Sequence, residues 1–357
     1  MNEMQTMLEQ MVERFFAEQL DSTAQASRQA GHFSQDLWCG IEELGLTRPL
    51  VPSEPAALGA SWLDVLVVLR AAGRHAAPLP LAETIIAGWL LARAGLDAPE
   101  GPLTLVDVDN SAADGERLRL EPRGEDWRLS GKASRVPWGR VATAAVLVVP
   151  HEGQQWIVLA PRAGAGVTNG HNLGGEWRDD FVFRDHPVKT APLPQTAGRV
   201  SPVRLLGGLA RCAQITGALD RVLESAVRYA NERRQFGQPI AKFQAVQHSL
   251  AILAGEVAAC GVATEAAFNA VQAGGDPSFL VAIAKIRAGS AAAQGIAIGH
   301  QVYGAIGFTL EHPLQLSTRR LMSWRAEFGA ERHWALQAGQ QVLDWGAEGF
   351  WPQIVAH

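Results

Sequence analysis

One stretch restricts what this chain can become more than any other: Tyr229-Ala-Asn-Glu-Arg-Arg-Gln-Phe-Gly-Gln-Pro-Ile240, followed at once by Ala241-Lys-Phe-Gln-Ala-Val-Gln-His248. Ahead of it, Leu209, Cys212, Ala213, Thr216, Leu219, Leu223, Ala226, Val227 and Ala230 recur at steps of three and four. That spacing predicts a long helix with one apolar face turned to a core. Arg233 and Arg234 fall in its last turn, where cations complement the helix dipole and cap free carbonyls. Gly237-Gln-Pro239 breaks the helix, and a second one opens on Phe243 and Gln244. Another glycine-bearing helix end, Gln301-Val-Tyr-Gly-Ala-Ile-Gly-Phe-Thr-Leu-Glu-His-Pro313, carries small residues that let a ligand approach the backbone.

Around these ends the chain reads as three parts, residues 1–101, 102–200 and 201–357. In the first, Met4, Met7, Met11, Phe15 and Phe16 stripe one helix. Leu63, Val65, Leu66, Val68 and Leu69 form the apolar centre of another, with Pro49, Pro52 and Pro55 marking the loop between them. The second part changes period to short strand-like runs at 103–108, 117–120, 127–129, 144–149 and 156–160, with turns at 124–126 and 151–153. No helix-length pattern separates those runs, so a small antiparallel β-barrel or sandwich is expected. The third part holds four helical segments, one of them alanine-rich from 277 to 300, which predicts a C-terminal four-helix bundle. The fold class is therefore α+β.

Composition narrows the function classes. A chain of 357 residues, 47% hydrophobic and 19% charged, can bury a large core and is long for one compact domain. A net charge of −5 leaves no basic footprint for nucleic acid. No run approaches the roughly 20 uninterrupted apolar residues of a membrane span, and Met1-Asn-Glu-Met-Gln5 lacks the basic-then-apolar order of a secretory signal. Cys39, Cys212 and Cys260 stand isolated, which suits a reduced cytoplasm and no metal cluster. His248 and His333 have no carboxylate or cysteine at ligand spacing, so no metal is expected at either.

The two helix-end segments together resemble the C-terminal domain of acyl-CoA dehydrogenases. That family's Arg-x-x-Phe-Gly-x-Pro-Ile-x-x-x-Gln pattern is met by Arg233, Phe236, Gly237, Pro239, Ile240 and Gln244. Its Gln-x-x-Gly-Gly-x-Gly pattern is met by Gln301, Gly304, Ala305 in place of glycine, and Gly307. Glu42-Glu-Leu-Gly-Leu46, Pro52, Leu58-Gly59 and Arg74-His-Ala-Ala-Pro-Leu-Pro80 resemble the family's opening helical domain. The resemblance implies FAD-dependent desaturation of an acyl-CoA thioester, in which a glutamate removes the α-proton and the β-hydrogen leaves as hydride. It also implies a tetramer and an electron-transfer flavoprotein as acceptor. Each flavin would sit at a subunit boundary, its ring on one chain's β domain and its adenosine diphosphate on the neighbour's two helix-end motifs. In those terms Arg233 would bridge the diphosphate through its planar fork. Phe236, with Ile240 in the same motif, would pack on the adenosine part. Gln244 and Gln301 would hydrogen-bond the adenosine diphosphate, while Gly304 and Ala305 would admit its close approach.

Other expected elements are not met. Counted without gaps from Gln301 and Glu311, the base position falls on Phe328, beside Glu327; the alternative base position used by a branch of the family falls on Gly207. After Gly131-Lys132, the flavin ring's seat reads Arg135 and Pro137 where an aromatic and a hydroxyl are expected, with Trp138 one step out of register. The family's acidic, serine- and glycine-rich flavin loop has no counterpart at Asp107–Gly115. The chain keeps the elements given to a neighbour and lacks those used for itself. This predicts a non-catalytic subunit of a heteromeric acyl-CoA dehydrogenase, acting on a fatty or steroid side-chain thioester with a second dehydrogenase-like chain. A self-sufficient homo-oligomer using Glu327 or Glu331 stays open, as does a flavin-free structural or binding homologue. So do plain structural roles: a solvated helix end for Arg233, core packing for Phe236, caps for Gln244 and Gln301.

Overall fold

The computed structural model describes residues 3–20, 32–51, 59–111, 117–193 and 200–355; Pro52, Pro55 and Leu58 lie outside them. In chain order the elements are α1 (Glu3–Gln19), α2 (Gln35–Glu43), α3 (Trp62–Arg74), α4 (Leu81–Arg93), β1 (Leu103–Val106), α5 (Val108–Ser111), β2 (Arg119–Arg123), β3 (Asp126–Pro137), β4 (Ala144–His151), β5 (Gln154–Pro161), β6 (Gly166–Thr168) and β7 (Arg178–Pro192). They continue with α6 (Pro202–Glu232), β8 (Arg234–Gln235), β9 (Gln238–Pro239), α7 (Gln244–Ala273), α8 (Ser278–Tyr303), α9 (Leu314–Trp324) and α10 (Glu331–Val355). By packing, the chain divides into two compact units, one of Met1–Ala30, Trp62–Ala77 and Gly208–His357, the other of Gly31–Ser61 and Pro78–Gly207.

The second unit is built on a seven-stranded sheet of order β1-β4-β5-β7-β3-β2, with β6 on β7. Its core is the inward side of those strands, including Leu129, Ala133, Leu147, Val158, Phe181 and Phe183. The strand-like runs fall on β1 to β5, and the turns between β2 and β3 and between β4 and β5 lie where glycine punctuates the sequence. Two features correct the antiparallel barrel or sandwich expected. β1 pairs β4 in parallel, which makes the sheet mixed, and β1 and β2 end the described order without pairing, so the sheet is open. β7 was not foreseen, because Arg178-Asp-Asp180 and Arg184-Asp-His-Pro187 break its apolar alternation, yet it pairs β3, β5 and β6.

The first unit is helical. Where α3 crosses α6, a Cβ on Gly217 would overlap the Arg70 carbonyl and one on Gly73 would overlap that of Gln214, so glycine on each helix lets the two backbones meet. The predicted stripe of α6 is buried at Leu209, Cys212, Ala213, Thr216, Leu219, Ala226 and Ala230. From 208 to 219, however, every side of the helix is enclosed, Arg211 and Gln214 included, and farther on Val227 is exposed. α7 packs on α8, and α9 and α10 pack on α8 from other sides. In α1 the methionine stripe faces outward: Gln5, Val12 and Phe16 are buried, while Met4 and Met7 are exposed. α7 and α8 are long and apolar enough, by length and composition alone, to cross a membrane. A count of unbroken apolar runs does not register them, because His248, Glu256, Lys285 and Arg287 interrupt them.

Candidate functional site

The break after α6 is a tight ribbon. Arg234 pairs with Pro239 and Gln235 with Gln238, and the Ile240 N–H donates to the Arg233 carbonyl at 2.8 Å. Phe236 at φ 50 and Gly237 at φ 82 form the turn, both in the left-handed region that two-residue type I′ hairpins require. The two cations that looked equivalent in sequence divide here. Arg234 donates to the Gly237 carbonyl at 2.9 Å and holds the turn. Arg233 is exposed, and its side chain has no hydrogen-bond or ion-pair partner among the described residues. Phe236 stands at the apex, 93% exposed, with its ring edge-on to Phe243 at 6.1 Å. Ile240 opens a short 3-10 turn, half-buried, and Gln244 lies exposed in the first turn of α7.

The second motif ends α8. Gly304 caps the helix at φ 65, with its N–H donating to the His300 carbonyl. A Cβ there would meet nothing within 4 Å, so its backbone faces open space. Gln301, Gly304 and Ala305 are all exposed, beside a cleft of 580 Å³ that Phe308 and Arg319 also line. The two motifs are brought together by Tyr229 and Tyr303, whose rings lie 4.4 Å apart at the last turns of α6 and α8. Ile306, Phe308 and Leu310 continue this end of the unit as exposed apolar residues.

The carboxylates near the expected base position are engaged. Glu327 Oε2 accepts from Arg211 Nε at 2.7 Å, and Arg211 is 2% exposed. That guanidinium also donates to Gln214 and lies 5.4 Å from the centroid of the Phe328 ring. Phe328, on the base position itself, is buried at φ 54. Glu331 accepts from Arg325 at 2.7 Å. Nearby, Lys285 is fully buried and caps the end of α9 by donating to the Trp324 and Arg325 carbonyls, at 3.2 and 2.8 Å. Burial pulls its pKa down to about 8 and pushes the neighbouring Cys212 thiol up to about 12. Sequence reasoning passed over Arg211 and Lys285. A cation inside an otherwise apolar helical stripe was the available signal, because a buried charge demands a partner.

In the sheet unit, the expected ring seat falls where the β3–β7 register shifts between Ala133 and Val136. Such a bulge re-aims side chains. Arg135 takes φ 56, its side chain exposed and its N–H donating to Asp180 at 2.9 Å. Pro137 is buried, with its carbonyl accepting from Thr104. Trp138 is buried inside the unit, 2% exposed, so its ring offers no open face. Asp107 is paired with Arg204 at 2.9 Å, and burial raises its pKa; residues 112–115 of the sought flavin loop lie outside the described ones. Gly207, the alternative base position, is within α6 and carries no side chain.

Tested against a flavin dinucleotide, the two ends get different answers. An unpartnered guanidinium, two exposed amides and an open backbone at Gly304 have the donor chemistry that a diphosphate and an adenosine need. The ring seat does not fit, since Pro137 has no N–H to donate and neither Arg135 nor Trp138 presents an accessible aromatic face. Among the described residues no three His, Cys, Asp or Glu side chains gather as a metal site.

Comparison with known proteins agrees with the motif reading. The family described as "Acyl-CoA dehydrogenase, C-terminal domain" matches residues 206–342, and "Acyl-CoA dehydrogenase, N-terminal domain" matches residues 2–99. Acyl-CoA dehydrogenase IpdE2 of Mycobacterium tuberculosis is 28% identical over 292 residues, 81% of this chain and 80% of that protein. The ChsE4-ChsE5 complex of Mycobacterium tuberculosis contains a chain of the same fold, with TM-score 0.86, 22% identity, and coverage of 96% of this chain and 98% of that one. The Tcur3481-Tcur3483 steroid ACAD (G363A variant) matches with TM-score 0.86 and 20% identity over 97% of this chain and 99% of its own. The chain belongs to the acyl-CoA dehydrogenase family.

Proposed function

We propose that this chain is the non-catalytic subunit of a heteromeric acyl-CoA dehydrogenase, supplying its partner with contacts to the adenosine diphosphate of FAD. The observation that carries this reading is the ribbon after α6: Arg233 has no side-chain partner among the described residues and Phe236 is held 93% exposed at its apex. A second chain, seated on that end of the helical unit, gives both residues something to touch. Arg233 and Gln301 then bind the diphosphate and adenosine of an FAD whose ring lies in the partner, Gln244 adds a hydrogen bond, and Gly304 and Ala305 let the cofactor lie against backbone. Ile306, Phe308 and Leu310 form the apolar surround of the contact, excluding water from it. FAD held there would supply the hydride acceptor for the substrate's β-hydrogen. The α-proton is removed by a carboxylate of the partner, because Glu327 is ion-paired with a buried arginine and Glu331 with Arg325.

The substrate class is an acyl-CoA thioester. Steroid-derived acyl groups are favoured by the named steroid relative with the same fold, and the acceptor is an electron-transfer flavoprotein. The test is expression alone and together with a dehydrogenase-like partner, followed by visible spectroscopy. Flavin absorbance is expected only in the co-purified complex, where Arg233→Ala lowers it and Glu327→Gln leaves turnover intact. A yellow, acyl-CoA-reducible protein from the chain alone assigns the self-sufficient reading instead, and no flavin in either preparation assigns the flavin-free one.

A further inference from the structure

The helical unit also holds a cleft of 510 Å³ that Tyr229 and Tyr303 help to line, within the size range of small-molecule sites. Its walls include Arg74, Arg221, Arg228, Tyr229, Tyr303 and His312. Arg221, Ser225, Arg228 and Tyr229 fall at steps of four, three and one along α6, so one helix face presents them together. The charges do not cancel internally. Arg74 is ion-paired with Glu13 and Glu224, and His75 Nε2 lies 2.7 Å from Glu13 Oε2. Among the described residues Arg221 and Arg228 have no ion-pair partner, and the one further carboxylate lining the cleft is the exposed Glu232. The N-terminal end of α9 adds the positive pole of a helix, with the Leu314 N–H donating to His312 Nδ1 at 3.2 Å. His312 therefore keeps its proton on Nε2 as a donor, and burial holds its pKa down. The Tyr303 phenol is hydrogen-bonded with Ser225, and Arg228 and Arg221 lie close enough to work against the burial that raises its pKa.

We infer that this cleft binds the phosphate of a small phosphorylated ligand, with Arg221 and Arg228 as the cationic clamp and the phenol of Tyr303 as a donor. The clamp is separate from Arg233, and the inference does not depend on the flavin reading. Two sources share the chemistry, inorganic di- or polyphosphate and a nucleoside phosphate; the half-buried Tyr229 ring would add an aromatic contact for a base in the second case.

The experiment is isothermal titration of the purified full-length chain at low salt with inorganic pyrophosphate and, separately, with ADP. Pyrophosphate is expected to bind and to weaken as salt is raised. Arg228→Ala, an exposed change with little risk to folding, is expected to weaken binding about 10-fold or more through loss of a charge-assisted bond. Arg221→Lys, which keeps the charge but loses the fork, is expected to fall in between, and Arg119→Ala, an exposed arginine of the sheet unit, to bind as wild type. ADP binding tighter than pyrophosphate, with that gain lost in Tyr229→Ala, assigns a nucleoside phosphate; equal affinities assign the phosphate group alone. Absence of pyrophosphate binding overturns the inference. So does wild-type affinity in both Arg228→Ala and Arg221→Lys, or loss in Arg119→Ala with retention in Arg228→Ala.

Discussion

Arg211 and Arg233 belong to the same stretch of chain, one inside α6 and the other just past its end, and their surroundings are opposites. Arg211 is enclosed and saturated, with Glu327, Gln214 and Phe328 arranged about its guanidinium. Arg233 stands in water with no side-chain partner among the described residues. The first arrangement is what a stable interior demands of a buried charge. The second contributes little to the stability of the isolated chain and leaves the guanidinium free to meet a ligand, as the proposed flavin role requires. In this chain the acidic group nearest the base position is part of the interior, and the elements suited to a dinucleotide tail are all on the outside.

The contrast breaks most easily at Arg211. Replacing it by alanine leaves the Glu327 carboxylate without its cation in a largely buried setting, and such losses cost about 3–5 kcal/mol. Urea denaturation of Arg211→Ala is expected to show a stability drop of that order. A drop under about 1 kcal/mol would mean that the pair is hydrated and Glu327 is freer than its geometry implies. At Arg233 the signs reverse. Arg233→Ala is expected to leave unfolding within about 0.5 kcal/mol of wild type, while flavin retention in the assembled complex weakens by about 1.5–3 kcal/mol. Measured side by side, the two variants separate a structural arginine from a ligand-facing one.

A smaller effect probes the interior through pH. Folded Lys285 loses its proton near pH 8 and the unfolded side chain near 10.5. Between those values the unfolded state holds more protons, and stability rises with pH. Cys212 works the other way, since its folded thiol keeps its proton to about 12 while the unfolded thiol ionises from about 9.0. The window free of that opposition is pH 8 to 9, where about 1 kcal/mol of stabilisation is expected. Lys285→Met should flatten the slope, and an unchanged slope would assign it to another group.

These contrasts were unevenly legible in the sequence. The two helix-end motifs could be read because each is local: Arg233 through Gln244 and Gln301 through Gly307 carry their glycines, cation and amides within a few turns. Strands β1 to β5 were legible through their apolar runs, but β7 was hidden by Asp179, Asp180, Asp185 and Pro187. Periodicity located α1 and misjudged its buried side, because Met4, Met7 and Met11 are as apolar as a core stripe and only packing decides which face is covered. The Arg211–Glu327 pair joins residues 116 apart, and no local pattern encodes a contact of that range. The pairing of β1 with β4 is non-local in the same way, which is why the sheet is mixed rather than antiparallel.

The sharpest small test is at the apex of the ribbon. Phe236 occupies the first central position of a turn with positive φ at both residues, where asparagine is the favoured neighbour of glycine. L-residues without such a side chain pay about 1–2 kcal/mol in that conformation, and against it Phe236 gains only an edge contact with Phe243. Phe236→Asn is therefore expected to raise the urea midpoint of the isolated chain slightly, by the equivalent of about 0.5 kcal/mol once that contact is lost. In the proposed complex the same change should lower flavin content, because the Phe236 ring would there be covered and packed. A stabilised monomer with a weakened complex would identify Phe236 as a residue kept for what it touches outside its own chain. A destabilised monomer with unchanged flavin content would return the ribbon to a plain helix end, and the asymmetry between Arg211 and Arg233 would lose its functional meaning.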